Sequence, residues 1–266
     1  MGRYIIGWAA AAWMLAACSG DAGKATGHLD ASGVKSIQID FHYAGWHFYD
    51  ENFVLSPATD GNGFVLSADY LHHGKGRAEV RQRVSTEAVQ KLLDAASAPA
   101  LTREQGVRMV ASSASAREMS KLGQVISFAS FSCTQQERQL MARRYVMRNG
   151  RPAVVDDYYG SGNSWTDDYP AAEVQIHLHD GSSISLYSQS QKAMMLPWHR
   201  GMPYDRAEEA DQNWAAPLSQ AIRTILPPQS AMHRRLSKDE FLYHLSMSID
   251  YAVIRECEKL RGVPEQ

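Results

Sequence analysis

Ile37, Ile39, Phe41 and Tyr43 alternate with Ser36, Gln38, Asp40 and His42. That period of two predicts a strand with one buried face. Two short apolar runs follow, 52–56 and 64–70. The turn cluster between them carries both Asp60-Gly61 and Asn62-Gly63, dipeptides that suit tight hairpins. After another turn at 73–76, Ala78, Val80 and Val84 set against Arg77, Arg81 and Arg83 predict a fourth strand. The period then changes. Val89, Leu92, Leu93 and Ala96 recur at helical spacing behind Ser85, an N-cap, and Glu87, an anion in the first turn; Pro99 is the stop.

Residues 101–133 give mixed signals. Thr102 and Gln105 have capping-box spacing, but Gly106 and a Ser-rich stretch weaken a helix there, and Val125, Ile126, Phe128 and Phe131 suit a strand. Thr134 to Glu137 is a clear capping box, opening a helix through Leu140, Met141 and Tyr145 that ends at Asn149-Gly150. A second hairpin is predicted from Val174, Ile176 and Leu178, turning at Asp180-Gly181 and returning through Ile184 and Leu186. Leu218, Ile222, Ile225 and Leu226 form a helical stripe closed by Pro227-Pro228. Ser237 to Glu240 opens a long C-terminal helix through Phe241, Leu245, Ile249, Val253 and Leu260. Strands in runs joined by short turns predict an α+β fold of antiparallel hairpins and meanders, each followed by amphipathic helices, instead of alternating βαβ units. The folded domain is expected over 34–266, with lobes at 34–100 and 170–266 joined by a helical segment.

The N-terminus is patterned for export. Arg3 precedes Tyr4–Ala17, an uncharged run of 14 residues, against the roughly 20 needed to span a bilayer. It ends Leu15-Ala16-Ala17-Cys18, which resembles the lipobox of bacterial lipoproteins. The resemblance implies removal of a signal peptide over 1–17 and acylation of Cys18, including palmitate. Ser19 follows the cysteine, and Asp21 lies two positions beyond the site of the inner-membrane retention signal. The resemblance therefore implies an outer-membrane anchor facing the periplasm. Residues 19–33 are mostly small and polar and read, with Cys18, as a tether over 18–33.

Composition narrows the function without naming it. The chain of 266 residues has a formal charge of −2, which gives no reason to expect nucleic acid as partner. Apart from Cys18 two cysteines are present, Cys133 and Cys257, an even number in an oxidising compartment and a candidate disulfide. No cofactor is expected, since no P-loop, G-x-G-x-x-G or G-x-S-x-G occurs. His177 and His179 have i, i+2 strand spacing, a weak candidate metal pair without a third-ligand motif. The strongest internal signal is charge segregation: nine Arg/Lys against three Glu over 101–151, then six Asp/Glu and no Lys or Arg over 152–180. The acidic stretch is aromatic and Gly-containing. It reads as a partner-binding loop, with Asp156, Asp157, Tyr158, Tyr159, Trp165, Asp167, Asp168 and Tyr169 facing a basic protein. Of the competing readings, one folds it back onto Arg143, Arg144 and Arg148. The other makes it a ligand site, for Ca²⁺ through Asp and carbonyl oxygens or for a sugar stacked on the aromatic rings, although the Ca²⁺-loop spacing is not present. The function expected is a lipid-anchored periplasmic binding module without catalytic activity, in one form an inhibitor or immunity-type lipoprotein. The alternative is an envelope hydrolase, metal-dependent through His177 and His179.

Overall fold

The computed structural model describes residues 29–44, 48–72, 76–99, 101–113, 133–160, 171–189, 198–200 and 218–260. The expected signal peptide over 1–17, Cys18 and the strand expected near Val125–Phe131 lie outside them. The fold is α+β. β1 (Val34–Ala44), β2 (Phe48–Pro57), β3 (Phe64–His72) and β4 (Gly76–Val84) form a meander; β5 (Ala171–Leu178), β6 (Ser183–Gln189) and the short β7 (His199–Arg200) complete it. All seven strands make one antiparallel sheet in the order β4-β3-β2-β1-β5-β6-β7.

The alternation in β1 sets the register of everything beside it. Ile37, Ile39 and Phe41 face Leu55, Phe53 and Glu51 on one side and Ile176, Val174 and Ala172 on the other. This face is buried beneath α1 (Thr86–Ser97), α5 (Leu218–Ile225) and α6 (Ala231–Arg235). Each large apolar side chain fully buried here contributes roughly 2 kcal/mol. Ser85 caps α1 by accepting from the Ala88 N–H at 3.1 Å. Gly63 closes the β2–β3 turn at φ 75°; a Cβ there would meet the Val84 carbonyl oxygen at 2.6 Å, so no other residue fits without a backbone shift.

Two sequence expectations change. The units 34–100 and 170–266 are not separate lobes, because β5 pairs directly with β1 and both hairpin systems share one core. The tether also ends sooner than residue 33. Ala31 is buried within a 3-10 turn over Ala31–Gly33, and Gln90 of α1 accepts from its N–H at 3.0 Å while donating to the Leu29 carbonyl at 2.7 Å.

A second core lies apart from the sheet. It joins α2 (Arg103–Ser113), α3 (Gln135–Asn149), α4 (Arg151–Gly160) and α7 (Lys238–Leu260). Phe241, Leu245, Ile249, Val253 and Cys257 are all buried along one side of α7. Their spacing of four keeps one stripe inward over most of its 23 residues. Among the described residues no helix is long and apolar enough to cross a membrane.

Candidate functional site

The helical layer carries an open groove. α3 begins at a complete capping box. Thr134 Oγ1 accepts from the Glu137 N–H at 3.3 Å, and Glu137 Oε2 accepts from the Thr134 N–H at 2.7 Å. Of its side chains only Ala142 is fully buried; Met141, Tyr145 and Val146 are half-buried. Cys133, just before the helix, is bonded to Cys257 near the end of α7, with Cα atoms 5.8 Å apart. The bridge makes the two helices an antiparallel pair, and Cys257 Sγ lies 3.5 Å from Met141 Sδ. Along their outer seam runs a groove of about 560 Å³. Met141, Tyr145 and Val253 give it apolar walls, and Arg144, Arg148 and Glu256 stand along it. Met141, Arg144, Tyr145 and Arg148 lie at i, i+3, i+4 and i+7, so helical geometry alone lines them up.

The groove's rim is basic. Arg144 and Arg148 line it, and among the described residues neither makes an ion pair; Arg143 of α3 and Arg255 of α7 are likewise unpaired there but do not line the groove. Met147, which also lines the groove, is 83% exposed, and Leu140 is 49% exposed. Burial pushes the Tyr145 phenol above its usual range, and the Asp157 carboxylate that accepts its O–H at 3.0 Å adds to this.

The acidic stretch falls differently from the expectation. Asp156 to Gly160 are not a loop; they complete α4. Tyr158 is buried, its ring edge-on to Phe241 with centroids 5.8 Å apart, so it offers no anchor to a partner. Asp156 accepts from Arg103 Nε at 2.8 Å, and Asp157 accepts from Tyr145. Asp156 and Asp157 therefore pair with Arg103 of α2 and Tyr145 of α3, and not with Arg143, Arg144 or Arg148, which are exposed. Tyr159 lies on α4, and Trp165, Asp167, Asp168 and Tyr169 lie outside the described residues. The signal for α4 was present: Val154, Val155 and Tyr158 share a helical stripe, and Pro152 stands in the first turn, where it is tolerated.

His177 and His179 do not share a strand face. β5 ends at Leu178, and His179 sits in the exposed turn, its N–H donating to the Gly33 carbonyl at 2.9 Å. Among the described residues no three His, Cys, Asp or Glu side chains converge as metal ligands would.

Two polar clusters were not legible from motifs. On the sheet face opposite the helices, residues are half-buried or exposed. There Asp40 accepts from Gln38 at 2.8 Å and from Asn52, and stands across from Glu173, which accepts from Gln175 at 2.7 Å. On the buried face, Glu51 has no exposed surface; its two oxygens accept from the Ala231 and Met232 N–H groups at 2.7 and 2.9 Å. Its parity with Phe53 and Leu55 was the available signal. Beside α6, Arg235 lies 5.1 Å from the centre of the Tyr43 ring and 3.1 Å from Glu240, tying the start of α7 to the β1–β2 hairpin.

The chain matches no protein-family model, no curated protein and no solved structure.

Proposed function

We propose that this protein is a lipid-anchored binding module of the outer membrane, facing the periplasm, that acts by docking a partner and not by catalysis. The observation that carries the reading is the α3–α7 groove, an apolar seam bordered by guanidiniums that have no ion-pair partner among the described residues. Side chains of this kind are enriched where proteins meet: Arg, Met and Tyr supply contact area and directed hydrogen bonds. The Cys133–Cys257 bridge supports an oxidising compartment, and the lipobox at Cys18 supports the anchor. An inhibitor or immunity-type lipoprotein is one concrete form, since a scaffold that presents an open groove suits blocking a secreted protein. The basic partner expected from the acidic run loses support, because Asp156 and Asp157 are engaged internally and Tyr158 is buried.

Site-specific photocrosslinking in intact cells tests the reading. A crosslinker in place of Met147 should yield a discrete adduct with an envelope protein, and one in place of exposed Glu79 on the sheet edge should not. If neither position crosslinks while the purified protein hydrolyses envelope material, the hydrolase alternative takes its place.

A further inference from the structure

We infer that the groove between α3 and α7 receives an acidic amphipathic helix of a partner protein, an inference that rests on the binding reading above. Three features of the site select this occupant. The first is shape. Two antiparallel helices leave a straight seam between them, and a third helix settles into such a seam by the same ridge-into-groove packing that holds the first two. The second is the lining. Met141 and Met147 are unbranched and adapt to whichever apolar side chain enters, while the Tyr145 ring and Val253 give it a fixed wall. The third is charge. Arg144 and Arg148 line the groove against the single carboxylate of Glu256, and neither guanidinium is neutralised within the described fold. Carboxylates flanking an apolar stripe would meet them in bidentate pairs.

Charge also argues against the competing occupants. A second copy would bring the same guanidiniums to a self-complementary contact, where they would oppose each other. An anionic bilayer would satisfy the charge, but it needs no groove.

The test uses the full lipidated chain in neutral detergent. The probes are a synthetic amphipathic helix with a leucine stripe and flanking Glu, and its counterpart with Lys for Glu. The chain should bind the Glu peptide at least about tenfold more tightly than the Lys peptide. Arg144→Glu with Arg148→Glu should reverse that order, and Met147→Glu should weaken the Glu peptide alone. All three positions are exposed, so an unchanged thermal melt serves as the control for folding. Equal binding of both peptides would overturn the inference. So would a double variant that keeps wild-type affinity for the Glu peptide, or saturable binding to phosphatidylglycerol vesicles with none to either peptide. The two failures are distinguishable. If the Met147 crosslink in cells persists in the Arg144→Glu, Arg148→Glu chain, the module binds but not through acidic pairing. If the crosslink is absent from the wild-type chain as well, the binding reading itself falls.

Discussion

A carboxylate without exposed surface survives in a core only when its oxygens are satisfied. Glu51 meets that condition by holding the first two N–H groups of α6, which have no acceptor within the helix. Its charge also acts on its surroundings: burial first, and the Glu51 carboxylate second, hold the Tyr70 phenol above the usual tyrosine range. Glu51→Gln replaces one acceptor oxygen by a donor facing an N–H. The variant should lose about 2 kcal/mol or more, the scale of a hydrogen bond to a charged group, read as a lower urea midpoint with an unchanged slope. An unaltered midpoint would mean that the charge is dispensable. Glu240 carries a pH dependence instead. His244, hydrogen-bonded to it, and the Arg235 and Arg234 charges hold its carboxyl below the usual glutamate range, against the opposing effect of burial. A depressed folded pKa gives stability that is complete above the unfolded value and disappears as pH falls through the folded one. Wild type should therefore be more stable than Glu240→Gln at about pH 7, and the two should converge towards about pH 3. Parallel stability curves across that range would show that the cluster stores no such linkage.

At the scale of elements, what was legible follows from which contacts decide each one. β1 through β4 were readable because one face meets water and the other does not, so burial writes itself as alternation. α1, α3 and α7 were readable because cap residues and apolar stripes agree. α4 was hidden because its stripe is only Val154, Val155 and Tyr158, and two Asp with a Gly look like a turn until α2 and α3 supply Arg103 and Tyr145 as partners. The open groove was hidden for a related reason: a row of Arg on a helix reads as a solvated face until the second helix is seen beside it. Cys133 and Cys257, which hold that pair together, are 124 positions apart. In the chain-entropy model closing so long a loop stabilises by about 4–5 kcal/mol, an upper figure. The Cys133→Ser, Cys257→Ser chain should melt at a lower temperature than the oxidised wild type. Limited proteolysis should cut the α2–α4 segment before the sheet. Identical melts with and without reductant would contradict this, as would two labelled thiols at these positions in the denatured, unreduced protein.

At the scale of the whole molecule, the short distance between Cys18 and Leu29 matters most. The fold takes hold of the chain at Leu29 through Gln90, so at full extension the intervening segment spans only about 40 Å. An acylated Cys18 would therefore hold the Leu29 end of the domain within about that distance of the bilayer. The proposed anchor would be a matter of hydrocarbon: each buried CH₂ would contribute about 0.8 kcal/mol, and two or more chains together would make release negligible. Cys18→Ala would remove every proposed chain at once, since in the proposed processing both the thiol and the new amino terminus belong to that residue. The variant should appear in the soluble periplasmic fraction, or as a precursor that still carries 1–17. Its sheet core and its Cys133–Cys257 bridge should be intact, because the described residues that make them all lie at or beyond Leu29. Fractionation by flotation, with intact mass to distinguish processed from unprocessed chains, reads the outcome directly. A processed Cys18→Ala chain that still floats with the membranes would mean that the protein reaches the bilayer by its folded surface, and the Arg144→Glu, Arg148→Glu substitutions in that background would then show whether the basic groove is the surface responsible.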